Sequence, residues 1–136
     1  MPESPVQLVE RLLAVLPSRD AAAFTAGFAT DAAFEMPFAP PGVPTRIEGR
    51  AAIHAALEQR WTATSAVRLH AIHPRIYATD DPEIVVVENE VEVTRPGAER
   101  TRVRSSVNVI QVRDGEVVLF RDYIDSARFQ AAALNG

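Results

Sequence analysis

The chain has no cysteine. That one absence excludes a disulfide framework, a thiolate metal site and a cysteine nucleophile together. Aromatic residues make up only 7% of the chain, and no run approaches the ~20 apolar residues needed to span a bilayer. Positive charge is not in excess either. The formal net charge is −4, so there is no basic field to draw in nucleic acid or anionic lipid. The first twenty residues have no basic stretch leading into a long apolar core, so no secretory leader is expected and a soluble cytoplasmic protein is the default. A glycine-rich phosphate loop is absent, as is any serine–histidine–acid arrangement that spacing would justify. No cofactor is called for.

What is present is ordinary globular material. The 136 residues are 47% hydrophobic and 24% charged, which suits one domain over residues 1–136 that buries most of its apolar surface. Ser4, Pro5 and Gln7 form a helix start, with a hydroxyl cap, proline at the first helical position and a capping-box partner. Val6, Val9, Leu13 and Leu16 recur at helical spacing until Pro17 ends the segment. Ser18 is expected to cap a second helix running from Ala21 to Phe28. The alternation in "AAFEMPF" predicts a short strand with Phe34, Met36 and Phe38 on one face. Prolines at 37, 40, 41 and 44 then allow neither helix nor central strand, so a stiff loop follows, expected to form the lip of a pocket. A third helix opens at Arg50 and runs to about Thr62, with Ile53, Leu57 and Trp61 on one stripe.

Beyond that point the period falls to two. "VRLHAIHPRIYAT", "EIVVVENEVEV", "RVRSSVNVIQV" and "EVVLFRDYID" read as strands separated by "DDP", "RPGAE" and "RDG" turns, and "SARFQAAAL" as a closing helix. Three helices followed by a long antiparallel meander define an α+β domain. A sheet of this length curls, and helices over its concave face leave a pocket between the layers.

The segment "FATDAAFEMPFAPPGVPTRIEGRAAI" resembles the one that identifies the nuclear-transport-factor-2-like superfamily, especially its SnoaL-like and ketosteroid-isomerase-like branches. "ATDDPEIVVVENEVEV" and "FRDYID" are similar to the phenazine-biosynthesis A/B proteins of that superfamily. The resemblance implies a cone-shaped, cystatin-like roll, a homodimer, and an apolar pocket used by isomerases, polyketide cyclases, epoxide hydrolases and plain binding modules. Fold alone does not choose among these.

Which residues face the pocket depends on the Arg113–Gly115 hairpin, because a one-residue slip exchanges the two faces. A two-residue loop pairs Asp122 with Val107. A three-residue loop, with Gly115 as a left-handed bulge, pairs Asn108 with Phe120 and Ser106 with Asp122. We take the second, which puts Ser106, Asn108, Ile110, Phe120, Asp122 and Ile124 on one largely apolar face. Val103, Val107, Val109, Leu119 and Tyr123 then face outward, towards a dimer contact.

The resemblance matches Asn108 to the strand position where steroid isomerases keep a protonated aspartic acid as oxyanion donor. Asn also donates, without any pKa shift. Asp122 matches the acidic last-strand position of the phenazine A/B proteins. Two other positions depart from the pattern: Met36 stands where the isomerases keep their general base, and Leu12 where they keep an oxyanion tyrosine. Steroid isomerisation by that apparatus is not expected.

Each candidate carries a plainer alternative. Asp122 beside Phe120 is either a proton-transfer group with a raised pKa or half of an ion pair with Arg104. Asn108 either holds an oxyanion or satisfies backbone groups in the sheet. Met36, Phe38 and Trp61 either line a cavity or fill a core. His54, His70 and His73 lack metal-ligand spacing, so no metal site is expected; they are structural or exposed, with His54 and His73 as candidate donors at a pocket rim. Glu88, Glu90 and Glu92 form a solvated face or pair with Arg100, Arg102 and Arg104 across the next turn. The sequence therefore predicts a cofactor-free isomerase, cyclase or lyase acting on a small, apolar, carbonyl-bearing metabolite. Asp122 and Asn108 are its chemical groups, and Met36, Phe38, His54, Trp61, Ser106, Phe120 and Ile124 its substrate contacts. The alternative is a dimeric module of the same fold that binds a ligand without turning it over.

Overall fold

The computed structural model describes residues 3–125. Helix α1 (Pro5–Ala14) starts as the capping pattern dictates: the Gln7 amide donates to Ser4 Oγ at 3.2 Å, and the Ser4 amide to Gln7 Oε1 at 2.9 Å. Its Leu8, Val9, Leu12 and Leu13 are buried, so Leu12 is core. Pro17 falls in a 3₁₀ turn (Leu16–Ser18), after which Arg19 takes a left-handed conformation with φ 53°. Helix α2 (Ala21–Thr25) is shorter than expected and differently capped. Asp20, not Ser18, accepts from the Ala23 amide at 3.0 Å, while Ser18 Oγ donates back to the Val15 carbonyl. Phe28 does not continue the helix. It opens strand β1 (Phe28–Glu35) because sheet pairing with Val117 outweighs the alanine-rich helical propensity before it.

The proline-rich run is the tip of a hairpin. The Met36 amide donates to the Thr45 carbonyl at 2.8 Å, and a short strand β2 (Arg46–Glu48), not expected from sequence, pairs antiparallel with β1. Gly49 (φ 92°) then swings the chain into helix α3 (Arg50–Ala63), its amide donating to the Ala32 carbonyl. Ile53 and Leu57 are its buried stripe. Strands β3 (Arg68–Ala78), β4 (Ile84–Thr94), β5 (Thr101–Arg113) and β6 (Glu116–Ile124) follow. The closing helix expected at residues 126–134 lies outside the described residues.

The six strands form one sheet in the order β2-β1-β6-β5-β4-β3. The meander is antiparallel, but β1 lies parallel to β6, so the sheet is mixed. The long excursion through α3 and four strands is what permits this pairing. Pro74 is tolerated because β3 is an edge strand. The core lies where α1, α2 and α3 meet the concave sheet face, around Leu8, Phe24, Phe28, Ile53, Val87 and Ile110.

The last hairpin corrects the expected register. Asp114 (φ 53°) and Gly115 (φ 78°) are both left-handed, the requirement of a two-residue turn, and Arg113 pairs with Glu116. The extra residue enters just afterwards: Val112 faces Val117 and Gln111 faces Leu119, so Val118 is bulged. Asn108 therefore pairs with Asp122, and Ser106 with Ile124, rather than with Phe120 and Asp122. That displacement is two residues, so the expected inward set keeps its face. A second irregularity at Asn89/Glu90 leaves Ser105 unopposed and turns Val103 inward, against expectation.

Candidate functional site

Between the curled sheet and α2–α3 lies a cavity of about 580 Å³. Its walls are largely apolar, and Phe24, Phe34, Trp61 and Phe120 dominate them. Phe34 and Phe120 stack with ring centroids 5.3 Å apart, while Phe24 meets Trp61 and Phe120 edge-on, each at 5.8 Å.

One polar chain crosses this surface. Asn89 Nδ2 donates to Ser106 Oγ at 3.0 Å and to Asn108 Oδ1 at 2.7 Å; Asn108 Nδ2 donates to Asp122 Oδ1 at 2.9 Å. Both asparagines are buried. Asn89 thus sets which way the Asn108 amide points, and that orientation suits an ionised Asp122, which only accepts. Asn89 Oδ1 is buried with no partner among the described residues, a cost of about 1–3 kcal/mol held inside this network. Burial pushes Asp122 up from 3.8 to about 6, against the opposing pull of the Arg60 guanidinium and the Asn108 hydrogen bond. The group is poised to take and return a proton near neutral pH.

Of the residues chosen from sequence, Asp122, Asn108, Ser106, Phe120, Ile124 and Trp61 line the cavity together. Three others do not. Met36 is buried behind the wall, where Arg60 Nη1 donates to its Sδ at 3.1 Å. Phe38 is 65% exposed on the outer face, edge-on to Tyr123, because the chain leaves the sheet after Glu35. The proline loop that carries it is accordingly not the cavity's lip. His54 sits 3.7 Å from Glu58 on the outer side of α3, one position off the Ile53–Leu57 stripe. His73 pairs with Glu92 at 2.8 Å and His70 with Thr94 at 2.7 Å, so neither borders the cavity. The Asp122–Arg104 ion pair, the plainer alternative for this acid, is not formed; Arg104 reaches Glu90 on the outer face.

Sequence reading missed Asn89, Arg60, Arg19 and Arg95, all cavity residues. Two left a signal. Asn89 interrupts the inward row Val85, Val87, Val91, Val93, and Arg60 falls on the apolar stripe of α3, seven residues after Ile53. Arg19 and Arg95 left none, being brought in by turns.

The comparisons with known proteins agree with this architecture. The SnoaL-like domain family matches residues 9–120, and the chain belongs to that family, within the nuclear-transport-factor-2-like superfamily. It is 30% identical over 123 residues to YesE of Bacillus subtilis, across 89% of this chain and 81% of that protein. It is 27% identical to the PhzA/B-like protein PA3332 of Pseudomonas aeruginosa, across 90% and 84% of the two chains. Among solved structures, a candidate isomerase from Bacillus subtilis superposes with a TM-score of 0.81 at 27% identity, covering 97% of this chain and 94% of that one. This is a fold used by small-molecule enzymes.

Proposed function

We propose that the protein is a cofactor-free enzyme of isomerase, cyclase or lyase type that moves a proton on a small, carbonyl-bearing metabolite. A single observation carries this reading: Asp122, the one carboxyl among the described cavity residues, lies in an apolar hollow with its pKa raised to about 6 and one oxygen held by Asn108. Asp122 takes a proton from the carbon next to the carbonyl and returns it, or hands it to the product oxygen. The negative charge that develops on the carbonyl oxygen is met by the second Asn108 amide hydrogen and by the hydroxyl hydrogen of Ser106, whose oxygen already accepts from Asn89. Trp61, Phe120 and Ile124 hold the apolar body of the substrate.

The test is a carbon-13 NMR titration of the aspartates combined with turnover of Asp122→Asn. The expected results are a midpoint near pH 6 for Asp122 and a loss of about 100- to 10,000-fold in kcat. An ordinary midpoint with surviving activity would end the proposal.

A second reading, ligand binding without turnover, is favoured by Met36. The position where the related isomerases keep their base is apolar and buried here, with no general base in its place. Trp61 responding to ligand while Asp122 stays silent would select it.

We also propose a homodimer through the outer sheet face, where Val107 is 38% and Phe38 65% exposed beside Tyr123. Val107→Glu should then halve the mass seen in sedimentation without unfolding the chain.

A further inference from the structure

The charges of the cavity are unlike those of the rest of the molecule. The chain is acidic overall, with net charge −4, yet among the described residues the cavity wall carries three guanidinium groups, Arg19, Arg60 and Arg95, against one carboxyl, Asp122. Elsewhere most arginines meet carboxylates, as Arg11 does Glu3, Arg46 and Arg121 Glu35, Arg102 Glu90, and Arg113 Glu83, while Arg50 donates to the Phe28 carbonyl and Arg75 lies over the Tyr77 ring. Among the described residues, Arg19 and Arg95 have no carboxylate within ion-pair distance. Arg60 has none either; it feels Asp122 only through space.

The placement is ordered along the cavity. Asn108, Phe120 and Asn89 are buried at one end, whereas Ala63, Ala66 and Pro96 are exposed at the other, which is therefore the mouth. Arg60 lies on α3 within the field of Asp122, and Thr64 follows one helical turn, about 6 Å, further out. Arg19 Nη1 donates to the Thr64 carbonyl at 3.1 Å, which seats its guanidinium at that outer level. Arg95 approaches the same end from the β4–β5 turn, next to Thr94, which pairs with Arg68 at the start of β3.

Arg19 has a second oddity. It holds a left-handed backbone conformation, φ 53°, that costs a non-glycine residue about 1 kcal/mol or more, and burial holds its pKa below the usual arginine value. Capping α3 employs one of its five N–H groups and leaves the rest of the fork for another acceptor.

We propose that the ligand carries a carboxylate, held at the cavity mouth by Arg19 and Arg95, with its apolar body directed inward to Asp122. A guanidinium fork presents paired donors to such an anion, and two of them at the rim of an apolar hollow add charge-assisted hydrogen bonds where water competes poorly. The anion also stays away from Asp122, with Arg60 standing between the two negative groups. This rests on the cavity being the ligand site.

The test compares 4-phenylbutyrate with its neutral amide, 4-phenylbutyramide, by isothermal calorimetry and by the fluorescence of Trp61, the chain's single tryptophan and a cavity residue. The carboxylate should bind at least about ten-fold more tightly than the amide, and added salt should shrink that ratio. Arg19→Gln, which keeps an N–H for Thr64, and Arg95→Gln should each cut the ratio severalfold, and the double variant should bring it to about one. Arg113→Gln, whose parent side chain pairs with Glu83 away from the cavity, should leave it unchanged. Should Arg19→Gln fail to fold, Arg95→Gln in its exposed turn decides alone. Equal binding of the two probes, or a ratio that survives the double variant, overturns the anionic site while leaving the cavity a ligand site. Binding of neither probe overturns both. Loss of the proton-transfer role of Asp122 would leave the ratio where it is.

Discussion

The two faces of the sheet are built from alternate residues of the same strands, and they treat charge in opposite ways. On the outer face, Glu90 meets Arg102 at 2.6 Å and Arg104 at 3.6 Å, and Glu92 meets His73 and Arg100. Hydrogen bonds from Arg102 and from His73 lower the pKa values of Glu90 and Glu92, respectively. On the inner face Asp122 has an amide and a distant cation for company, and burial raises it to about 6. The same functional group is thus held as an anion outside and pushed towards its neutral form inside. What differs is access to water and to a partner, not chemistry.

Asp122→Asn sharpens this contrast most. A carboxyl whose folded pKa is raised binds its proton more tightly in the folded state, so folding is favoured at low pH and loses that advantage as pH rises from 3.8 through about 6. Relative to wild type, the variant should be more stable at pH 8 by on the order of 2–3 kcal/mol and indifferent near pH 3, by chemical denaturation at both values. A gain equal at both pH values would mean that the carboxyl is not strained by burial.

Asn108→Leu removes the amide that stabilises the ionised form, and should raise the Asp122 midpoint further in the same NMR titration. An unmoved midpoint would mean that this hydrogen bond is not made in solution.

Glu90→Gln should do least. Its pKa is lowered, so whatever it contributes is present above the ordinary glutamate range and fades as pH falls through it. The pairs are exposed, and thermal melts at pH 7 should barely differ. A large loss would place the outer face among the stabilising elements and blunt the comparison.

Much of this was legible from residues alone. The helix caps at Ser4, the stripe Ile53–Leu57–Trp61 and the alternation of β4–β6 are local patterns, and they led to the α+β class and to the inward set Ser106, Asn108, Phe120, Asp122 and Ile124. Phe38 misled because alternation was extended past Glu35, where the chain had already left the sheet. Val103 misled because the irregularity at Asn89/Glu90 inverts parity without a glycine or proline to announce it. Arg19 was invisible since its place depends on a left-handed residue and a carbonyl 45 positions away.

Residue order determined which positions are apolar, where helices begin, and that one acid would sit among greasy neighbours on the last strand, because these depend on contacts a few residues long. Only the folded chain decided that β1 lies beside β6, that Asn89 steers Asn108, and that three arginines from separate turns and a helix share one hollow with Asp122. Such meetings depend on bulges and crossovers whose one-residue offsets have no local signature, and each offset redirects every side chain beyond it.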